Sequence, residues 1–490
     1  MRTLALCLIA QTAQADVVFE NLSTHLPDHS YTGGWEHFVG GGVAVFDCNG
    51  DTLPDILAAG GTTPAKLMIN RGDMQFTPAA LPVFTGTTGA YPLDVDGDGH
   101  LDVMLLRVGE NQLLRGDGAC GFSPANALWG FDGGDAWSTA FSATWETFGP
   151  VLAVGNYVDR TDPEGPFEAC DDNTLHRWTG DRFDATPLSP GYCALSMLFA
   201  RDASGTKRLR ISNDRHYYVS DGSEQMYDLG LSRFLGPEDG WETVRLWGMG
   251  IASRDITGDG RAEVMLTSMG DQLMQMAGAD GLYTPAPFAL GTYAQRPHLG
   301  DDGRPSTGWH AEFGDVDNDG RQDLFIAKGN VDQMPGLAME DPNTLLVQQT
   351  DGSFAERSIT AGVATVDRSR GAALADLDGD GRLDLVVMNR RAPIELYRNV
   401  TADSGSWLAI DLAMPGANTR AIGALVEVTS GDVTQIQERT VGGGHAGGQA
   451  GPLHFGLGDA RRASVTVTWP DGRVTEHPDL ETGQRLTLTP

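Results

Sequence analysis

Asp376-Leu-Asp-Gly-Asp-Gly-Arg-Leu-Asp384 places carboxylates at positions 1, 3, 5 and 9 of a nine-residue stretch and glycine at position 6. The residues Asp376, Asp378, Asp380 and Asp384 would face one point, and the backbone carbonyl of Arg382 at position 7 can complete an all-oxygen shell. Hard cations with six to eight oxygen ligands take such a shell, and the glycine lets the chain turn sharply around the ion. Calcium fits better than magnesium, which usually keeps several of its waters.

The stretch recurs. Loop 94–102 offers Asp94, Asp96, Asp98, the His100 carbonyl and Asp102, and loop 315–323 offers Asp315, Asp317, Asp319, the Arg321 carbonyl and Asp323. Loop 255–263 is weaker, with Asp255, Thr257, Asp259, the Arg261 carbonyl and Glu263. Loop 47–55 has Asp47, Asn49, Asp51, the Leu53 carbonyl and Asp55, with Thr52 where glycine is expected. About five calcium sites are therefore expected. An EF-hand needs a glutamate at position 12, whereas these loops have Ala58, Leu105, Leu266, Ile326 and Val387 there. The short branched runs that follow, such as Val103-Met-Leu-Leu106 and Leu385-Val-Val387, predict buried strands. The ion is placed in a β-hairpin-like loop.

Around each loop lies a larger repeat. A second strand, a Gly/Asp turn and an aromatic follow, as in Lys66-Leu-Met-Ile-Asn-Arg-Gly-Asp-Met-Gln-Phe76 and Thr344-Leu-Leu-Val-Gln-Gln-Thr-Asp-Gly-Ser-Phe354. Two decayed copies are expected between loops 94–102 and 255–263. One opens with the strand Val154-Gly-Asn-Tyr-Val-Asp159, and the other with Leu198-Phe-Ala-Arg-Asp202. Seven units of about four strands predict an all-β fold, a seven-bladed β-propeller. The last unit lacks its final strand, and Val17-Val-Phe-Glu20 is expected to supply it, closing the ring and leaving no bare edge. Beyond residue 402 the pattern changes to alternating strands at 407–412, 424–429, 435–441, 464–469 and 485–488, which predict a small C-terminal β-sandwich. The expected organisation is 1–15, 16–402 and 403–490.

The chain has 490 residues and a net charge of -32. Such a surface repels nucleic acid and anionic membranes, and no later segment is long and apolar enough to insert in a membrane. Arg2, the apolar run 3–10 and Ala13-Gln14-Ala15 read as a Sec-type signal peptide cleaved near Ala15, so a secreted or periplasmic location is expected. Apart from Cys7 there are four cysteines, and an even count in an exported chain favours disulfides. Three pairings are possible. Cys170 with Cys193 and Cys48 with Cys120 is preferred, because each pair then lies within one repeat or between neighbours.

The acidic loops resemble the FG-GAP repeats of integrin alpha subunits, whose seven-bladed propeller binds calcium in such loops. Asn418, Ala421-Ile-Gly-Ala424, Gly442-Gly-Gly444, Leu453-His-Phe-Gly-Leu-Gly458 and Trp469-Pro-Asp-Gly472 resemble the ASPIC/UnbV domain. The combination resembles the cartilage acidic protein family, which has many bacterial members. The resemblance implies a secreted, non-enzymatic protein with an adhesive role. Thr52, Thr257 and Glu263 depart from the family's loop pattern.

Two tempting motifs have plainer readings. Arg71-Gly-Asp73 and Arg115-Gly-Asp117 stand where other units carry Thr-Gly-Asp, so they are hairpin turns first. Gly442-Gly-Gly-His-Ala-Gly-Gly448 is not followed by a helical period, so it predicts a tight β loop with His445 in solvent, not a phosphate cradle. No catalytic motif is present. The expected function is an interaction module that offers its loop face to an extracellular protein or glycan. The alternative is a calcium-dependent polysaccharide lyase, for which His298, Arg304 and His310 are the candidate residues.

Overall fold

The computed structural model describes residues 16–162, 169–214, 222–293, 296, 297, 299 and 303–490. The expected leader and His298 lie outside them. Among the described residues, Phe19 to Asn399 build seven four-stranded antiparallel sheets. Their first strands are Val43–Phe46, Thr87–Leu93, Ser138–Glu146, Ala194–Arg201, Gly248–Arg254, Gly308–Gly314 and Ser369–Ala375. Each first strand neighbours the next, and the last returns to the first, so the sheets form a closed β-propeller.

The reason is in the side chains. Successive residues of a strand point to opposite faces, and here both faces are buried against neighbouring sheets. Phe46, Leu57 and Leu67 of the first sheet meet Val103, Leu105 and Leu114 of the second. Phe325 and Val347 of the sixth meet Leu385 and Val387 of the seventh. The ring is closed by hydrogen bonds across its ends: Phe19–Asn21 pairs antiparallel with Glu395–Asn399 as the outermost strand of the last sheet.

In the third sheet the sequence reading was out of register. Its first strand is Ser138–Glu146, which turns tightly into Gly149–Asn156. The stretch ending at Asp159 is therefore a second strand, not an opening one. The Ser138–Glu146 strand leads into a tight turn with no acidic signature, so nothing in the sequence marks it as an opening strand. The fourth sheet does open at Ala194–Arg201, as expected.

Residues 406–488 form two further sheets. One orders Leu453–Gly458, Ser406–Leu412 and Gln484–Leu488, and the other Val433–Glu438, Leu425–Ser430, Arg462–Thr468 and Val474–Glu481. Leu408, Ile410, Val426, Val428, Phe455, Val465, Val467 and Trp469 fill the space between them. Leu453–Gly458 and Val474–Glu481 were not expected as strands.

The glycine run is not a solvated loop. Residues 441–449 enter the middle of the ring and bridge first strands of five sheets: Val441 to Ala143, Gly442 to Leu198, Gly444 to Ile251, Gly447 to Ala90 and Gln449 to Val45. Only glycine allows this approach. A Cβ at Gly447 would stand 2.2 Å from the Val43 carbonyl oxygen, and one at Gly42 would stand 1.7 Å from that of Ala446. His445 is fully buried, contrary to the expectation of solvent exposure. Its Nε2 accepts from the Gly40 N–H, and its ring lies 5.0 Å from that of Trp309. Both disulfides, Cys48–Cys120 and Cys170–Cys193, are formed as preferred.

Candidate metal centre

Each acidic loop joins the first and second strands of its sheet. The first carboxylate folds the loop around itself. Asp376 accepts from the N–H groups of Gly379 and Gly381, Asp94 from Gly97 and Gly99, and Asp315 from Asp319 and Gly320. Asp255 and Asp47 do the same with Gly258 and Gly260, and with Gly50 and Thr52. Thr52 adopts φ 73°, the left-handed region that glycine occupies in the equivalent place elsewhere.

The ninth residue has a role the sequence did not disclose. Its two oxygens brace the sheet. Asp102 accepts from Val95 within the loop and from Gly116 on the third strand, at 2.8 and 2.9 Å. Asp323 accepts from Val316 and Gln348, Asp384 from Leu377 and Asn399, and Asp55 from Cys48 and Asn70. Glu263 reaches Ile256 and, more loosely, Ala277.

Among the described residues, three loops gather carboxylates within 4.8 Å of one another: Asp94, Asp96 and Asp102; Asp315, Asp317 and Asp323; Asp376, Asp378 and Asp384. Loops 47–55 and 255–263 do not. Asn49 there donates to Asp51, and Asp55 lies against the Cys48–Cys120 disulfide. In the three gathered loops burial pushes the ninth-position carboxyls, and that of Asp315, up. Asp102 rises to about 8, and Asp315, Asp323 and Asp384 rise well above the usual range. Like charges packed in low dielectric need protons or a cation to offset them. The donors are all oxygen, which suits a hard divalent ion.

Arginines pair with these acids. Arg115 bonds Asp96 and Asp98 at 2.7 and 2.9 Å, Arg398 pairs with Asp378, and Arg321 and Arg382 reach back to Asp319 and Asp380. Arg115 is therefore engaged with the acidic loop, and 117–121 is a turn in which the Asp117 N–H donates to Gly121. Residues 71–75 form the corresponding turn in the first sheet.

The C-terminal sheets sit on the face that carries the acidic loops. Thr419 Oγ1 donates to the Asp94 carboxylate, Arg485 to the Thr52 carbonyl, and His454 Nε2 lies 2.7 Å from Asn318 Oδ1. The Trp407 ring covers Gly381, and Ile436 lies beside Gly260. The acidic-loop face, expected to be offered to partners, is covered in part: the C-terminal sheets lie over loops 315–323 and 376–384, while 50–52, 98–100 and 257–260 stay exposed. On the opposite face Trp35 is 48% exposed, its ring 4.8 Å from Phe38 and 6.0 Å from Trp137. The lyase candidates are not assembled there. His310 is buried in a first strand against His445, while Arg304 donates to the Pro335 carbonyl.

The fold and its loops define a propeller of FG-GAP-like repeats, and the family comparison agrees. The FG-GAP-like repeat model matches residues 47–105 and 315–387, and the ASPIC and UnbV model matches 414–490. Cartilage acidic protein 1 of Mus musculus is 27% identical over 164 residues, which is 33% of this chain and 25% of that protein. The Xenopus tropicalis protein of the same name is 31% identical over 111 residues, 22% of this chain and 17% of that protein. This chain thus spans about a quarter or less of these relatives' length. Among solved structures, the BP39L lectin from Burkholderia pseudomallei aligns with TM-score 0.45 and 11% identity over 74% of this chain and 97% of the lectin. YCF48 bound to D1 peptide aligns with TM-score 0.43 and 10% identity over 80% and 99%.

Proposed function

We propose that the protein is an exported, calcium-binding interaction module without catalytic activity. Its partner, an extracellular protein or glycan, meets the ring face away from the C-terminal sheets. The observation that carries this reading is the seating of the C-terminal sheets on the acidic-loop face. Cations held there serve the architecture, and the free face presents a rigid aromatic platform. Trp35 is held by Phe38 and Trp137, and the Arg160–Glu36 ion pair at 2.8 Å lies beside it. An exposed aromatic ring with charged neighbours suits an apolar sugar face or a protein hot spot. The three gathered loops support calcium as the ion, bound through Asp94, Asp96 and Asp102 and their counterparts. When bound, the ion supplies positive charge that lets the buried carboxylates stay ionised.

The test is binding of the calcium-loaded protein to a glycan array and to a panel of extracellular matrix proteins, with Trp35→Ala alongside. A ligand bound by the parent and lost in Trp35→Ala supports the reading. Binding that survives Trp35→Ala overturns the placement of the surface. Native mass spectrometry reads the calcium content separately.

A further inference from the structure

We propose that the cation of loop 315–323 is sealed in by the C-terminal domain, so that this ion and the domain dock together. The inference rests on reading the loops as calcium sites and adds which ion is trapped and by what.

The three gathered loops differ in cover. Asp315, Asp317 and Asp323 are all at most 2% exposed. At loop 94–102, by contrast, Asp96 keeps 21% of its side chain in solvent, and at loop 376–384 Asp376 and Asp378 are only partly buried. The difference is made by three glycines of the C-terminal domain. Gly405 donates its N–H to the Asp317 carbonyl and Gly458 donates to that of Asn318, at 2.9 and 2.8 Å. A Cβ at Gly456 would stand 1.9 Å from Asp315 Oδ2, and a Cβ at Gly405 would stand 2.1 Å from the Asn318 carbonyl oxygen. Backbone thus lies directly on the ligand-bearing residues. His454 clamps the rim through Asn318 Oδ1. Asn318 in turn donates to the Gly381 carbonyl of the neighbouring loop, under Trp407.

A lid made of backbone and closed by hydrogen bonds blocks an ion's way out past Asp315 and Asp317 while it is seated, and leaves only the rim at Asp319, held by Arg321, with 21% of its side chain in solvent. Leaving requires the lid to lift, and lifting exposes carboxylates packed at like charge. Release from this loop is therefore governed by domain undocking, whereas at loop 94–102 the domain touches Asp94 through Thr419 but leaves Asp96 in solvent, so release there does not need undocking. Conversely, a chain without this ion holds the C-terminal domain less firmly, since anything that binds only the docked state stabilises it.

The experiment uses the full chain loaded with calcium and mixed with a fluorescent chelator. The expected result is two phases of release, the slow one carrying a single ion. His454→Ala removes one half-buried hydrogen bond of the lid and is expected to speed the slow phase about tenfold, leaving the fast phase alone. Gly456→Ala pushes on Asp315 and is expected to abolish the slow phase. Near-UV circular dichroism checks that each variant is folded, and His454→Ala is the milder of the two. One-phase release, or a slow phase unchanged in His454→Ala, overturns the proposal while leaving calcium binding intact. Absence of any bound ion by native mass spectrometry overturns the calcium reading itself, and the lid with it.

Discussion

The backbone N–H of His445 donates to Nδ1 of His310 at 3.0 Å. That bond places the proton of the neutral His310 ring on Nε2, which faces Glu312 at 3.3 Å. It also joins the C-terminal domain to the centre of the ring. Glycines on either side make the insertion possible, so the two parts are expected to unfold together.

Gly447→Ala tests this. The added methyl meets the Val43 backbone, 2.2 Å from its carbonyl oxygen and 2.8 Å from its nitrogen, where no flexible side chain can give way. A loss of about 1–3 kcal/mol is expected, as for other overpacked sites. Gly451→Ala is the control, because a Cβ there meets open space. Thermal melts are expected to show a lower single transition for Gly447→Ala and no change for Gly451→Ala. A separate low-temperature transition in the parent would show that ring and C-terminal domain are independent.

Acid is expected to destabilise the ring and the segment 441–449 at its centre. Burial pushes His445 from 6.5 down to about 3, and His176 down to about 4. The folded chain keeps these rings neutral while the unfolded chain protonates them below 6.5. The unfolded state then binds more protons, so stability rises with pH through this window and is lost as pH falls from 6.5 towards 3. His445→Gln loses the ring but also this penalty. In saturating calcium the variant is expected to be less stable than the parent at pH 7.5, with the gap narrowing towards pH 5. A gap that stays constant with pH would remove His445 from the acid limb.

The ninth loop residue separates bracing from ion binding. Asp55→Ala strands the buried N–H groups of Cys48 and Asn70, at a cost of about 1–3 kcal/mol for each. Its loop gathers no carboxylate triad, so the number of bound ions is expected to be unchanged. Asp317→Asn is the opposite case. It is expected to remove one ion and with it the calcium-dependent part of the melting temperature contributed by that loop. Native mass spectrometry with thermal melts checks both. Loss of an ion in Asp55→Ala would restore loop 47–55 as a cation site.

What could be read from residues alone follows the side chains. The acidic spacing, the branched strands after each loop and the orphan Phe19–Asn21 strand all advertise themselves by residue type. The placement of the C-terminal domain does not. Its closest backbone approaches run through Gly405, Gly442, Gly444, Gly447, Gly456 and Gly458, where the signal is a missing side chain. A glycine run reads as a turn unless the opposing backbone is known. His445 was misplaced for this reason. The role of Asp102 and its counterparts was hidden too, because Gly116, the second donor, lies on another strand. Ser138–Glu146 was missed because its turn, Glu146 to Gly149, lacks the acidic pattern that marked the other units.

The ring closure yields the last prediction. Phe19 pairs with Asn399, Glu20 with Arg398 and Asn21 with Tyr397, and Phe19 is buried against Val387 and Tyr397. Removing residues 16–21 uncovers the edge of Glu395–Asn399, a row of unpaired backbone donors and acceptors that can template another chain. It also opens the apolar space between the sixth and seventh sheets. Phe19→Ala keeps the hydrogen bonds and removes only the ring, at a cost of about 3–5 kcal/mol for a buried phenylalanine. The truncated protein is expected to aggregate on gentle heating at concentrations where Phe19→Ala stays monomeric though less stable. Light scattering alongside thermal melts distinguishes the two. If the truncated chain stays monomeric, edge pairing by Phe19–Asn21 is not what protects the ring.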